Sequence, residues 1–169
     1  SAYHNVPIIN GFEQKGGKKY RSDKVNHVFS EGISSLTLNL EKAYTEAAHV
    51  DKWQRTIALD REYNWVEITE QYKLDSLQIE KNQLNGQVFD NQIILMAFGK
   101  PVMQKAGRIL LQGGNVRLEY DAQYLSASVE KVQMTDGIMK TQWNDNVYRI
   151  ILRLNDNYPM AKVKYRFVK

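Results

Sequence analysis

The chain has 169 residues, 43% of them hydrophobic and 25% charged, with a net charge of +4 and a pI near 9.1. That length can bury a sizeable core, and no run approaches the roughly 18 apolar residues of a membrane-crossing helix. With no cysteine, a disulfide framework and thiolate chemistry are excluded, though the compartment is left open. The mild basic bias favours acidic partners without choosing among nucleic acid, anionic lipid and acidic polysaccharide.

In chain order, "NG" at 10–11 marks a turn, and "EQKGGKKY" at 13–20 reads as a Lys-rich hairpin turn. It lacks the spacing of a phosphate loop. "SLTLNL" places Leu36, Leu38 and Leu40 on one face. "LEKAYTEAA" at 40–48 is expected as a single short helix or turn, on its Ala, Leu, Glu and Lys content. "WQRTIALD" aligns Trp53, Ile57 and Leu59, with Arg55 as the polar member of that face. "VEITEQYKL" aligns Val66, Ile68, Tyr72 and Leu74. "FGKP" ends a strand before Pro101. "VRLEYDA", "YRIILRL" and "AKVKYRF" alternate in the same way. Turn signals also stand at 84–86, 113–114, 135–137 and 155–157. A period of two puts one strand face on a core and the other in water. The expectation is an all-β fold, an antiparallel β-sandwich of two or more packed sheets with at least eight strands, residues 1–169 making a single domain.

Few residues announce chemistry. His4, His27 and His49 form no compact ligand spacing. His27 reads as a strand residue and His49 as the end of the Ala-rich segment, near its last carbonyls. Asp60, Glu62, Glu67 and Glu70 are available, but spacing brings no two of them across a cleft. Basic residues gather at Lys15, Lys18, Lys19, Arg21 and Lys24, and again at Lys162, Lys164, Arg166 and Lys169. The second set alternates with apolar residues and reads as a solvated strand face.

"YHNVPIINGFEQKGG" resembles the H-N-x-x-x-I/V-x-G-x-x-Q segment of the heparinase II/III-like polysaccharide lyases. Trp53, Gln54, Arg55, Ile57, Leu59, Asp60 and Arg61 resemble a second signature strand of that family. The resemblance covers residues 3–75, the rest matching only as a strand-rich tail. It implies the C-terminal β-sandwich region of an enzyme that cleaves uronic-acid-containing polysaccharide by β-elimination, with an N-terminal α/α toroid as its partner within the same protein. By analogy the whole is periplasmic or secreted, with no membrane span and no nucleic-acid partner. The family's catalytic Tyr and His, its carboxylate-neutralising group and its H-G-H-P-D type segment have no counterpart here, so no catalytic residue is assigned and isolated activity is not expected. In zinc-containing members the His of the His-Asn pair is a metal ligand shared with an upstream His and Asp. The matching residue is His4, one ligand of an incomplete site. Asn5, Gly11 and Gln14 match without an assigned role, and substrate-binding residues stay unknown. The alternative is a non-catalytic carbohydrate-binding β-sandwich using exposed aromatics, with Trp53, Trp65 and Trp143 as suspects. A basic nucleic-acid-binding β domain is the third reading.

Overall fold

A computed structural model describes residues 2–84, 90–111, 115–155 and 158–169, with the backbone alone for 82–84. Among them, twelve strands form two antiparallel sheets that pack as a sandwich. The smaller sheet runs β1 (Pro7–Ile8), β6 (Gln92–Ala97), β11 (Asn146–Leu154), β10 (Leu125–Gln133). The larger runs β2 (Asp23–Phe29), β3 (Ile33–Asn39), β4 (Val50–Asp60), β5 (Trp65–Leu74), β12 (Met160–Val168), β9 (Arg117–Tyr120), β8 (Arg108–Leu110), β7 (Val102–Lys105). All six alternating segments of the sequence lie in strands, each with the apolar phase turned inward. Registry lines Trp53, Tyr72 and Ala161 across three strands, and Ile57, Ile68 and Tyr165 across the same three. Facing them from the small sheet are Ile93, Leu95, Ile150, Leu152 and Leu154.

The turn at Asn10 and Gly11 has φ of 50° and 81°, and Ile9 and Phe12 exchange both backbone hydrogen bonds across it. Asn-Gly supports that left-handed pair at low cost. The signals at 113–114 and much of those at 84–86 and 155–157 fall outside the described residues.

Three local expectations are refined or corrected. Of the short helix or turn expected at 40–48, the structure has the turn, made twice: 3-10 turns at Glu41–Ala43 and Glu46–Ala48, separated by extended backbone at Tyr44 and Thr45. Tertiary contacts override propensity there: Ala43, Tyr44 and Ala48 are all buried, and the Glu41 carboxylate accepts the Trp53 backbone N–H at 3.1 Å. The helices are α1 (Ser76–Leu84) and α2 (Gly137–Trp143), against an expected maximum of one. Each has an Asp cap, Asp75 accepting the Gln78 N–H at 3.1 Å and Asp136 the Met139 N–H at 2.9 Å. "TDG" therefore marks a helix start as well as a bend. Finally, 13–22 is not a hairpin. It carries the chain from the small sheet to the edge of the large one, because β1 pairs with β6 and β2 with β3.

Candidate functional site

A buried ion pair interrupts the apolar interior. Arg55 on β4 and Glu70 on β5 are registry partners, both in the core phase and both buried. The Arg55 Nε donates to Glu70 Oε1 at 2.7 Å, and its terminal nitrogen stands 2.5 Å from the same oxygen. Trp53 Nε1 donates to Glu70 Oε2 at 2.7 Å and the Tyr165 hydroxyl to Oε1 at 3.1 Å. Burial alone would lower the Arg55 pKa, but the Glu70 carboxylate raises it, so the guanidinium stays charged. Burial, with the Glu70 charge, pushes the Tyr165 hydroxyl well above its ordinary value. Tyr72, stacked on Trp53 at 4.8 Å between ring centroids, is pushed up to about 12 by burial. Glu70 was visible in the sequence as an acidic residue. Its phase with Ile68 and Tyr72 was the signal that it would face inward; the β4–β5 register is what sets it against Arg55.

This buried pair holds the His-Asn segment. Arg55 donates to the Asn5 backbone carbonyl at 2.7 Å, and the Asn5 side-chain oxygen accepts the Met96 N–H at 2.7 Å. The Tyr44 hydroxyl donates to the Pro7 carbonyl at 2.5 Å, and buried Asn10 donates to the Ala48 carbonyl at 2.6 Å. Gln14 hydrogen-bonds the Tyr44 hydroxyl, and Gly11 takes its positive φ in the turn. The matched residues Asn5, Gly11 and Gln14 thus fix backbone. His4 is exposed.

His4 stands near the β6–β7 connection at 98–101, lining a concavity with Phe98. Three concavities meet that connection. One of about 490 Å³ enters between the sheets beside Leu95, Ile150 and Phe167. One of about 350 Å³ lies under α2, lined by Tyr3, His4, Phe98, Met139 and Trp143 among others. The third, about 620 Å³, opens between Lys100, Val102, Lys131 and Tyr148. This mouth is the candidate site, with aromatic walls and few polar groups.

The other expected residues disperse. Trp53 is fully buried, which removes it as a glycan platform: its ring stacks inside and its N–H is spent on Glu70. Trp65 is half-buried beneath the Arg166 guanidinium at 5.0 Å, while Trp143 is 46% exposed in the mouth. His27 lies exposed on β2. His49 ends the second 3-10 turn in left-handed conformation, its carbonyl accepting the Asp75 N–H at 2.9 Å. Lys164 and Arg166 project outward and both pair with Glu67, at 2.8 and 2.6 Å. Partial burial opposes them, yet those hydrogen bonds hold the Glu67 carboxyl below its usual range. Asp60 caps the β4–β5 turn by accepting the Glu62 and Tyr63 N–H groups. Among the described residues no three His, Cys, Asp or Glu side chains gather to hold a metal ion. His4 offers one imidazole where a structural zinc takes about four donors.

No family model matches the chain, and no curated protein matches it. Among solved structures, the crystal structure of heparan sulfate lyase HepC from Pedobacter heparinus aligns with it at a TM-score of 0.65 and 11% identity. The likeness is one of fold. It extends over 99% of this chain but 24% of that one, so both sheets and the mouth are included while most of the lyase has no counterpart.

Proposed function

We propose that residues 1–169 form a single β-sandwich that serves as the C-terminal wall of a heparinase II/III-like polysaccharide lyase. The observation that carries this reading is the fold likeness to HepC along nearly the whole chain. The anchoring of the His-Asn segment by Asn5, Arg55 and Glu70 adds to it. In β-elimination a base removes the C5 proton of a uronate, the C4–O bond breaks, a C4–C5 double bond forms, and the leaving oxygen takes a proton. Those acid, base and carboxylate-neutralising groups lie on the helical toroid and the segment joining it to Ser1. This chain's part is to hold its N-terminal segment rigid at the mouth and close one side of the cleft. The protein would act in the periplasm or outside the cell. None of the described helices is long and apolar enough to cross a membrane.

The test is to compare this chain with the longer polypeptide encoded by its gene. The longer protein is expected to generate the unsaturated-uronate absorbance from heparan sulfate or a polyuronate, and the 169-residue chain none. Unsaturated product from the short chain, or a gene encoding no helical domain before Ser1, would overturn the reading. We further propose His4 as one zinc ligand in that longer protein, its other donors coming from outside this chain. His4→Ala should then lower its zinc content; unchanged metal removes the role. A second reading, a carbohydrate-binding module without catalysis, draws on exposed Trp143 beside Phe98, ring centroids 6.4 Å apart. Glycan binding by a protein with no lyase partner would favour it.

A further inference from the structure

Arg55 and Lys131 are both cations in the core phase of a strand, and they meet opposite fates. Lys131 follows Leu125, Ala127 and Val129 along the inward face of β10, with Tyr148 as its registry partner. At that position the sequence alternation calls for an apolar side chain. Arg55 meets Glu70, but Lys131 meets no carboxylate among the described residues. Instead it lines the 620 Å³ groove together with Lys100, which is also without an acidic partner among the described residues. Tyr148, Val102, Met103 and Val129 line the same groove and supply its aromatic and apolar surface. Other surface cations are matched to acids (Lys42, Lys73, Arg149, Arg153, Lys164, Arg166) or, like Lys52, Lys105 and Lys162, have no ion pair among the described residues. What sets Lys100 and Lys131 apart is the concavity they share with Tyr148.

Two unmatched cations sharing a groove with an aromatic and apolar surface suit a ligand with anionic edges and a C–H face. A pyranose ring bearing carboxylate or sulfate has that chemistry: lysine answers its charge, and the tyrosine ring and methyl groups its apolar face. We propose that the Lys100–Lys131–Tyr148 groove is a subsite for an acidic sugar unit. This rests on the glycan reading above for the sugar and on the groove's own charge for the acidity. The competing account is that Lys131 is an inward charge that keeps edge strand β10 from pairing with another chain.

The experiment titrates the 169-residue chain with a heparin hexasaccharide, a polymannuronate hexasaccharide and neutral cellohexaose at fixed salt, and maps the backbone amide shifts. Binding by at least one acidic probe but not by cellohexaose is expected, with the largest shifts at 100–103, 129–131 and 148. Which acidic probe binds tighter separates sulfate from carboxylate. Lys100→Ala with Lys131→Ala should weaken the better probe about tenfold, while the distant pair Lys52→Ala with Lys162→Ala changes it less than about twofold. Shifts centred on 15–24, equal losses from both lysine pairs, or equal binding of an oligothymidylate would overturn the subsite. So would a Lys131→Ala protein that self-associates with unaltered binding. A longer protein that cleaves polyuronate while these variants bind normally sinks the subsite alone. Selective binding without any lyase partner sinks the lyase reading alone.

Discussion

The large sheet has two halves built to one pattern. In the covered half, Trp53, Tyr72, Val163, Tyr165 and Leu118 are nearly or wholly inaccessible. At the β2–β3 end the same inward phase carries Phe29 at 75% exposure and Leu36 at 38%. Registry connects the halves without a break, Leu36 to Ile57 to Ile68 and then to Tyr165. What differs is the presence of a small-sheet strand opposite. Alternation makes a face apolar; only a second layer makes it a core. Burial therefore concentrates the energy in one half, and substitutions should separate the two sharply.

The largest effect is expected at the centre of the covered half. Glu70→Ala leaves the Arg55 charge buried and strips the acceptor from Trp53 and Tyr165. The expected loss is about 3–5 kcal/mol, read as a fall in the urea midpoint. Replacing Arg55 by Met and Glu70 by Leu together should recover most of it, since well-packed apolar pairs often match a buried ion pair. A cost under about 1 kcal/mol for Glu70→Ala would mean that the pair does not hold the covered half together.

Next comes Leu152→Ala, on the facing small sheet and fully inaccessible, with an expected loss of about 2–5 kcal/mol. Alkaline pH probes the same half. The fold raises the pKa of Tyr44, Tyr72 and Tyr165 through burial, so it favours their protonated forms. Such groups contribute fully below the unfolded value near 10. Their contribution drains as pH rises through that value, towards about 12 for Tyr72, with Tyr44 and Tyr165 also raised by burial. Melting temperature should therefore fall between pH 9 and pH 11. Tyr72→Phe should lessen that fall while costing little at pH 8, because its buried hydroxyl meets no hydrogen-bond partner among the described residues. An unchanged slope in that variant would place the alkaline sensitivity elsewhere.

Asn5→Ala should cost about 1 kcal/mol, the net worth of its hydrogen bond to the Met96 N–H. The smallest effect belongs to the uncovered half: Phe29→Ala is expected to stay within about 0.5 kcal/mol in the isolated chain. Phe29 is 75% exposed, with the Arg61 guanidinium over its ring at 5.6 Å. A loss near 2 kcal/mol would mean that this end is covered after all, by self-association, which sedimentation would reveal.

The period of two in "SLTLNL", "WQRTIALD", "VEITEQYKL", "YRIILRL" and "AKVKYRF" determined the strands, their inward faces and the all-β class, because side-chain direction in an extended chain is a local property. The Asn10-Gly11 turn was equally local, set by two residues that tolerate positive φ. Within the candidate site, His4 and Trp143 were legible as individual residues; the mouth they share was not. Only the tertiary structure decided that Arg55 would find Glu70 while Lys131 found a groove, since both are cations in an apolar phase and the sequence assigns neither a partner. Likewise it decided that Trp53 is interior, and that 40–48 turns twice without coiling into a helix. Each of these outcomes depends on which strand lies opposite. That is a contact between residues far apart in the chain, and alternation along a single strand carries no record of it.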